Sequence, residues 1–300
     1  MRIGLGLPTV FPSSEGHLVM EWARRAETAG FSSLSILDRL VYDNFDPTLT
    51  LTAAAAVTER IRLMTAILIA PLRNAGVLAK EAASLDALSN GRLTLGLGVG
   101  NRKDDFQVAG AEYGNRGKRF DDQIALMKRV WAGDDAGEGI GPVGPAPVQL
   151  GGPPLIFGGR SAVALARVAK WGDGYVTGSV SDIAGARTTY ELALRPWREA
   201  GRSGEPLFIG SLSCAIGEAE AQATAEAGAR YYSYQGGRPA NTPGKPGASA
   251  SPAATGIPST AEAIREALRA CEAAGMDEVF VRPNGVTDPD QVDRLAEAVL

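Results

Sequence analysis

The chain has 300 residues, of which 45% are hydrophobic and 21% charged, and its 30 Lys and Arg stand against 34 Asp and Glu for a formal charge of −4. That composition supplies a large core and excludes a mostly disordered chain, and mild acidity without a basic run argues against a nucleic-acid binder. A single histidine, His17, and two distant cysteines, Cys214 and Cys271, exclude a zinc centre and a disulfide framework, so no metal is expected.

The elements alternate along the chain. Residues 3–7 form an apolar run stopped at Pro8, and Val19, Trp22, Ala23 and Ala26 then recur at helical spacing up to Gly30. Residues 34–37 are a second strand ending at Asp38-Arg39, and Asp46-Pro47 opens an Ala-rich helix with an N-cap and a proline in its first turn. The β-like run 61–69 is ended by Ala70-Pro71, and Leu78, Ala82, Leu85 and Leu88 mark one face of the helix after it. Residues 93–97 are strand four; Phe120, Ile124, Met127 and Trp131 announce a helix, and 133–154 reads as a loop. The second half predicts strands at 154–159, 174–177, 207–215 and 278–281. Helices are predicted at 161–170, 184–199, 218–232 and 260–274, with a last one marked by Val292, Leu295, Ala296 and Val299. Between Gln235 and Pro258, 10 of 24 residues are Gly or Pro, which denies a packed element and marks a lid-like insertion beside Tyr231, Tyr232 and Tyr234.

Eight strands alternating with helices predict an α/β fold of the (β/α)8 TIM barrel type, one domain over residues 1–300. An open doubly wound sheet is the alternative, but Pro8 stands where its GxGxxG turn would follow the first strand. No apolar run reaches the roughly 18 residues of a membrane span and no leader-like segment opens at Met1, so a cytoplasmic protein with no membrane partner is expected.

In a barrel the chemistry gathers where strands end. Gly96, Gly98 and Gly100, followed by Asn101, either let backbone approach a flat ligand or make room for packing. Gly158-Gly159-Arg160-Ser161 joins a strand to a helix, offering backbone N–H groups, a guanidinium and a hydroxyl to a phosphate, or simply a glycine turn capped by Ser161. Asp38, Arg39 and Tyr42 place an acid, a cation and a phenol in one loop. Arg39 stays charged and suits an oxyanion, which leaves proton transfer to Asp38, Tyr42 or His17; the plain alternative is an Asp paired with a nearby Arg. Arg282, after the eighth strand, can meet a phosphate or carboxylate, or form a salt bridge at the rim.

These motifs together resemble a known family. Arg60-Ile-Arg-Leu-Met-Thr-Ala-Ile-Leu-Ile-Ala-Pro-Leu-Arg-Asn74, Leu78-Ala-Lys-Glu81, Leu85-Asp-Ala-Leu-Ser-Asn-Gly-Arg-Leu93 and Gly96-Leu-Gly-Val-Gly-Asn101 are similar to the luciferase-like oxidoreductases. Pro154-Leu-Ile-Phe-Gly-Gly-Arg-Ser161 with Ala169-Lys-Trp-Gly-Asp-Gly-Tyr175 is similar to that family's second half. The resemblance implies a barrel with a lid-like insertion and a homodimer. It also implies an oxidoreductase in which F420 transfers hydride to or from a small organic substrate with a polarised C=C, C=N or C=O bond. An FMN-dependent monooxygenase using O2 and a separate flavin or F420 reductase is the alternative, and a non-catalytic flavin-binding protein a second. The cofactor ring would lie over strand three at a non-prolyl cis peptide, Ala66-Ile67, with Gly98, Val99, Gly100 and Asn101 along its edge and Thr177 nearby. Its phosphate would sit at Gly158 to Ser161. Arg39 stands where many members carry His, which removes a histidine relay.

Overall fold

The structure, a computed structural model, describes residues 1–8, 15–233 and 256–300. Eight strands run in parallel: β1 (Arg2–Gly6), β2 (Ser33–Ile36), β3 (Arg62–Ile69), β4 (Leu93–Gly98), β5 (Leu155–Gly158), β6 (Gly174–Ser179), β7 (Leu207–Ser213) and β8 (Glu278–Arg282). Each pairs with the next, and β8 closes on β1 with Arg2 opposite Glu278 and Leu5 opposite Val281. The expected (β/α)8 barrel is therefore the fold, and the open sheet is excluded.

The connecting helices are α1 (Gly16–Ala29), α2 (Pro47–Ala56), α3 (Ala75–Leu88), α4 (Lys103–Val108), α5 (Arg116–Ala132), α6 (Ala162–Trp171), α7 (Ile183–Glu199), α8 (Glu218–Ser233), α9 (Ala261–Ala273) and α10 (Asp290–Val299). Their starts follow the capping residues: Asp46, Asn74, Ser161 and Thr260 each accept backbone N–H groups of the first turn. Helix α4 was not legible in the sequence. It has six residues, too short for a periodicity, yet it buries Asp105 and Phe106 beneath the barrel mouth.

Two apolar layers result from strand alternation. The outer one packs Trp22, Leu51, Phe120 and Phe157 between strands and helices. The inner one fills the barrel with Met64, Ala66, Ile156, Val176, Ile209 and Phe280. Below it the carboxylate of Glu278, fully buried, accepts from the hydroxyls of Ser32 at 2.7 Å and of Ser33, and pairs with Arg62 and, at 3.4 Å, Arg2. Burial would raise the Glu278 pKa, but the Arg62 charge and the Ser33 and Ser32 hydroxyls outweigh it and hold the group below its ordinary value.

The 133–154 connection is a loop, as expected, but it is tied down. Asp86, fully buried on α3, accepts from the backbone of Val148 at 2.8 Å and of Gln149 at 3.0 Å, and from the Gln149 side chain at 2.6 Å. Most of the expected 235–258 insertion, with Tyr234, lies outside the described residues. Its last part is described: the Ala215 N–H donates to the Pro258 carbonyl at 3.2 Å.

Candidate active site

At the C-terminal mouth of the barrel is a cavity of about 380 Å³. Its floor comes from β3, where the Ala66-Ile67 peptide is cis and the pairing with β4 shifts between Thr65 and Leu68. The glycines of β4 make that floor possible. A Cβ at Gly96 would lie 1.9 Å from the Thr65 carbonyl oxygen, and one at Gly98 would lie 2.1 Å from Ile67 Cδ1. Gly158 of β5 gives way to the same Ile67 methyl, at 3.3 Å. Of the two readings of these glycines, packing is the one this geometry carries: they seat Ile67 beneath the cavity. Gly100, at φ 70°, faces Ile69 and Phe106, and its carbonyl accepts from Arg116 at 3.1 Å. Val99 packs against the outer core, whereas Asn101 lines the cavity.

The loop after β2 splits into two roles. Asp38 is buried and does not line the cavity; it accepts from the Ile69 N–H at 2.7 Å and from Arg73 at 2.6 and 3.2 Å. Arg73 also reaches Asp46 at 3.1 Å. Burial pulls the Arg73 pKa down, but Asp38 and Asp46 more than compensate and raise it. Asp38 thus ties the end of β3 in place. Arg39 does line the cavity, with Asp105 Oδ2 3.2 Å from its Nε and the Tyr231 ring 5.4 Å from its guanidinium carbon. Tyr42 meets that same Tyr231 ring edge-on at 5.4 Å.

The remaining expected residues scatter around these. Thr177 ends the straight part of β6, lines the cavity, and hydrogen-bonds Tyr175, whose phenol is nonetheless pushed up by burial. Arg282 lines the cavity, passes its stem over Gly6, and donates to the Ala66 carbonyl at 3.4 Å. Gly159, Arg160 and Ser161 are exposed at the start of α6, with the Ser161 hydroxyl accepting from the Ala164 N–H at 3.2 Å, and they stand outside the cavity lining. His17 stands apart: it is exposed on the first turn of α1, 3.2 Å from Glu15, and does not line the cavity. The Cys214 thiol is pushed up to about 12 by burial and is no nucleophile. Among the described residues no acid or histidine cluster can hold a metal, and no helix is long and apolar enough to cross a membrane.

Sequence reasoning missed the wall formed by α8, where Thr224, Ala225 and Gly228 join Tyr231 in the lining. It also left Ser211 and Ser213 unremarked at the end of β7. The hydroxyls on alternate residues of β7 were a signal for the second pair; nothing local marks a helix that leans over a barrel mouth.

Known proteins share both sequence and fold with this chain. An uncharacterized Mycobacterium tuberculosis protein is 33% identical over 185 residues, 52% of this chain and 63% of that protein, so the match spans less than two thirds of the relative's length. The F420-dependent glucose-6-phosphate dehydrogenase of Beutenbergia cavernae is 38% identical over 121 residues, 36% of this chain and 35% of that enzyme. Among solved structures, the coenzyme F420 dependent tetrahydromethanopterin reductase of Methanopyrus kandleri superposes with a TM-score of 0.80 at 18% identity, covering 100% of this chain and 99% of that one. Monooxygenase RslO1 of Streptomyces bottropensis superposes with a TM-score of 0.79 at 20% identity, covering 99% and 98%. The model of the luciferase-like monooxygenase family matches residues 1–299, so the chain belongs to that family.

Proposed function

We propose that the protein uses F420 to move hydride to or from a small organic substrate with a polarised C=C, C=N or C=O bond. The observation that carries this reading is the floor of the cavity: Ile67, seated by Gly98 and Gly158 after a cis peptide, beneath a space of about 380 Å³. Such a floor suits a flat ring, and the F420-dependent dehydrogenase among the relatives supports the deazaflavin. Ala66 and Ile67 would hold the ring, with Asn101 and Thr177 at its margin. The start of α6, from Gly158 to Ser161, would take its phosphate. When bound, the cofactor supplies the hydride.

The chain's own groups have separable tasks. Arg39 meets charge at a substrate oxygen. Tyr231 and Tyr42 close the space above Arg39 and exclude water. Asp38 is a positioning residue that holds the end of β3 through Ile69 and Arg73, and His17 takes no part. The second reading is an FMN-dependent monooxygenase using O2, in keeping with the monooxygenase RslO1 that shares the fold.

A titration of the purified chain with F420 and with FMN decides between them. F420 is expected to bind, FMN not, and Ser161→Asp is expected to weaken F420 by about tenfold or more by setting a negative charge at the phosphate position. FMN binding without F420 binding overturns the assignment. Unchanged F420 affinity in Ser161→Asp removes the α6 start from the site.

A further inference from the structure

Arg39 is a buried cation whose charge the protein answers only in part. Its side chain is 8% exposed, and its Nε and Nη2 are shut off from solvent without a hydrogen bond to any described residue. Asp105 Oδ2 lies 3.2 Å from Nε but outside hydrogen-bonding geometry. The other oxygen of Asp105 is already engaged, accepting from the N–H groups of Leu40 at 3.1 Å and Val41 at 2.8 Å. A ring face at 5.4 Å completes the surroundings. One offset carboxylate and one phenol ring are a poor return for taking a guanidinium out of water, whose donors ordinarily find acceptors when buried.

The cavity that Arg39 lines has no acid among its described lining residues; beside Arg282, which donates to the Ala66 carbonyl, Ser179, Ser211, Ser213, Thr224 and Asn284 supply neutral polar groups. Nη1, the guanidinium nitrogen that is not closed off, has no hydrogen bond to any described residue, so the acceptor missing there is one that a ligand in the cavity brings. We propose that the substrate carries a carboxylate and that Arg39 is its anchor, an inference that rests on this cavity being the reaction site proposed above. A carboxylate can set a charged oxygen on Nη1, which a neutral group answers only weakly. A single negative charge is the better match, because Asp105 already offsets part of the Arg39 charge and a dianion costs more to desolvate. The substrate oxygen that Arg39 meets is then one of the carboxylate's.

Binding measured on the purified chain by calorimetry tests this without turnover. Benzoate is the probe, benzamide its neutral isostere, and inorganic phosphate the competing anion. Benzoate is expected to bind about tenfold more tightly than benzamide, to lose about tenfold in Arg39→Gln, and to be partly restored in Arg39→Lys. Asp105→Asn supplies a readout that a merely structural ion pair would not move. Removing the competing carboxylate should tighten benzoate several-fold, with thermal unfolding as the check on folding. Equal affinity for benzoate and benzamide, or benzoate affinity unchanged in both Arg39→Gln and Asp105→Asn, overturns the proposal. Phosphate that displaces benzoate in an Arg39-dependent way overturns the carboxylate in favour of a phosphate ester. The cofactor reading is scored apart, since the F420 titration of the wild-type chain fails or succeeds whatever benzoate does.

Discussion

Replacing Asp38 by Asn separates positioning from chemistry. The wild-type carboxylate, buried with its side chain 3% exposed, receives three hydrogen bonds: one from the Ile69 backbone and two from Arg73. Removing one partner of a buried ion pair costs about 3–5 kcal/mol. Two features of the site lower that figure: Arg73 is 19% exposed and keeps Asp46 at 3.1 Å, and the Asn carbonyl can still accept from Ile69. A loss of about 2–3 kcal/mol is expected, read as a lower urea midpoint in equilibrium unfolding followed by circular dichroism. Because Ile69 follows the Ile67 floor by two residues, cofactor affinity should fall too, by about tenfold. Turnover at saturating cofactor should stay near wild type, because the carboxylate faces Arg73 and not the cavity. Wild-type stability together with lost turnover would show that Asp38 handles a proton, and the reasoning would be refuted.

Glu278→Gln should cost about 2–4 kcal/mol at neutral pH, less than a fully enclosed pair because Arg62 and Arg2 are 34% and 43% exposed. Since the native carboxyl titrates below its ordinary value, its contribution is complete above the unfolded pKa and disappears as pH falls through the folded one. The acid limb of a stability–pH curve should therefore be shallower in the variant; an unchanged limb would show that Glu278 does not govern it. Gly98→Ala and Gly96→Ala should differ in kind. The first asks only the Ile67 methyl to move and should cost about 1–3 kcal/mol with weakened cofactor binding, whereas the second meets the Thr65 carbonyl, which cannot yield, and should cost more. Equal thermal midpoints for the two would contradict that ordering.

The barrel was legible because its strands, and its helices other than α4, carry their own periods and their own starts and stops, as at Pro8, at Ala70-Pro71 and at the Asp46 cap. Parallel pairing follows from connections long enough to hold a helix. Most of the lining that was legible lies beside a strand end, as with Arg39, Asn101, Thr177 and Arg282, whereas Ala66 and Ile67 came with the family resemblance. Partnerships were not, since Asp38 finds Arg73 and Arg39 finds Asp105 across loops that meet only after the ring has closed. The same closure decides the fate of His17, which lies downstream of the first strand as the reading required but on an exposed helix turn. The β4 glycines looked like ligand contacts because only the β3 bulge reveals what fills the space they leave.

The eighth strand touches the third at two levels. Glu278 holds Arg62 at the base and Arg282 reaches the Ala66 carbonyl at the mouth, each four residues along its own strand. Across the barrel these form two rungs of equal spacing, and both belong to the last strand synthesised. An amino-terminal half of the chain contains most of the recognisable motifs yet has neither rung, and leaves Arg62 without its carboxylate partner. The floor of the cavity is in this sense a product of the whole ring. Splitting, permuting or recombining the barrel between β3 and β8 changes the site even when no lining residue is altered.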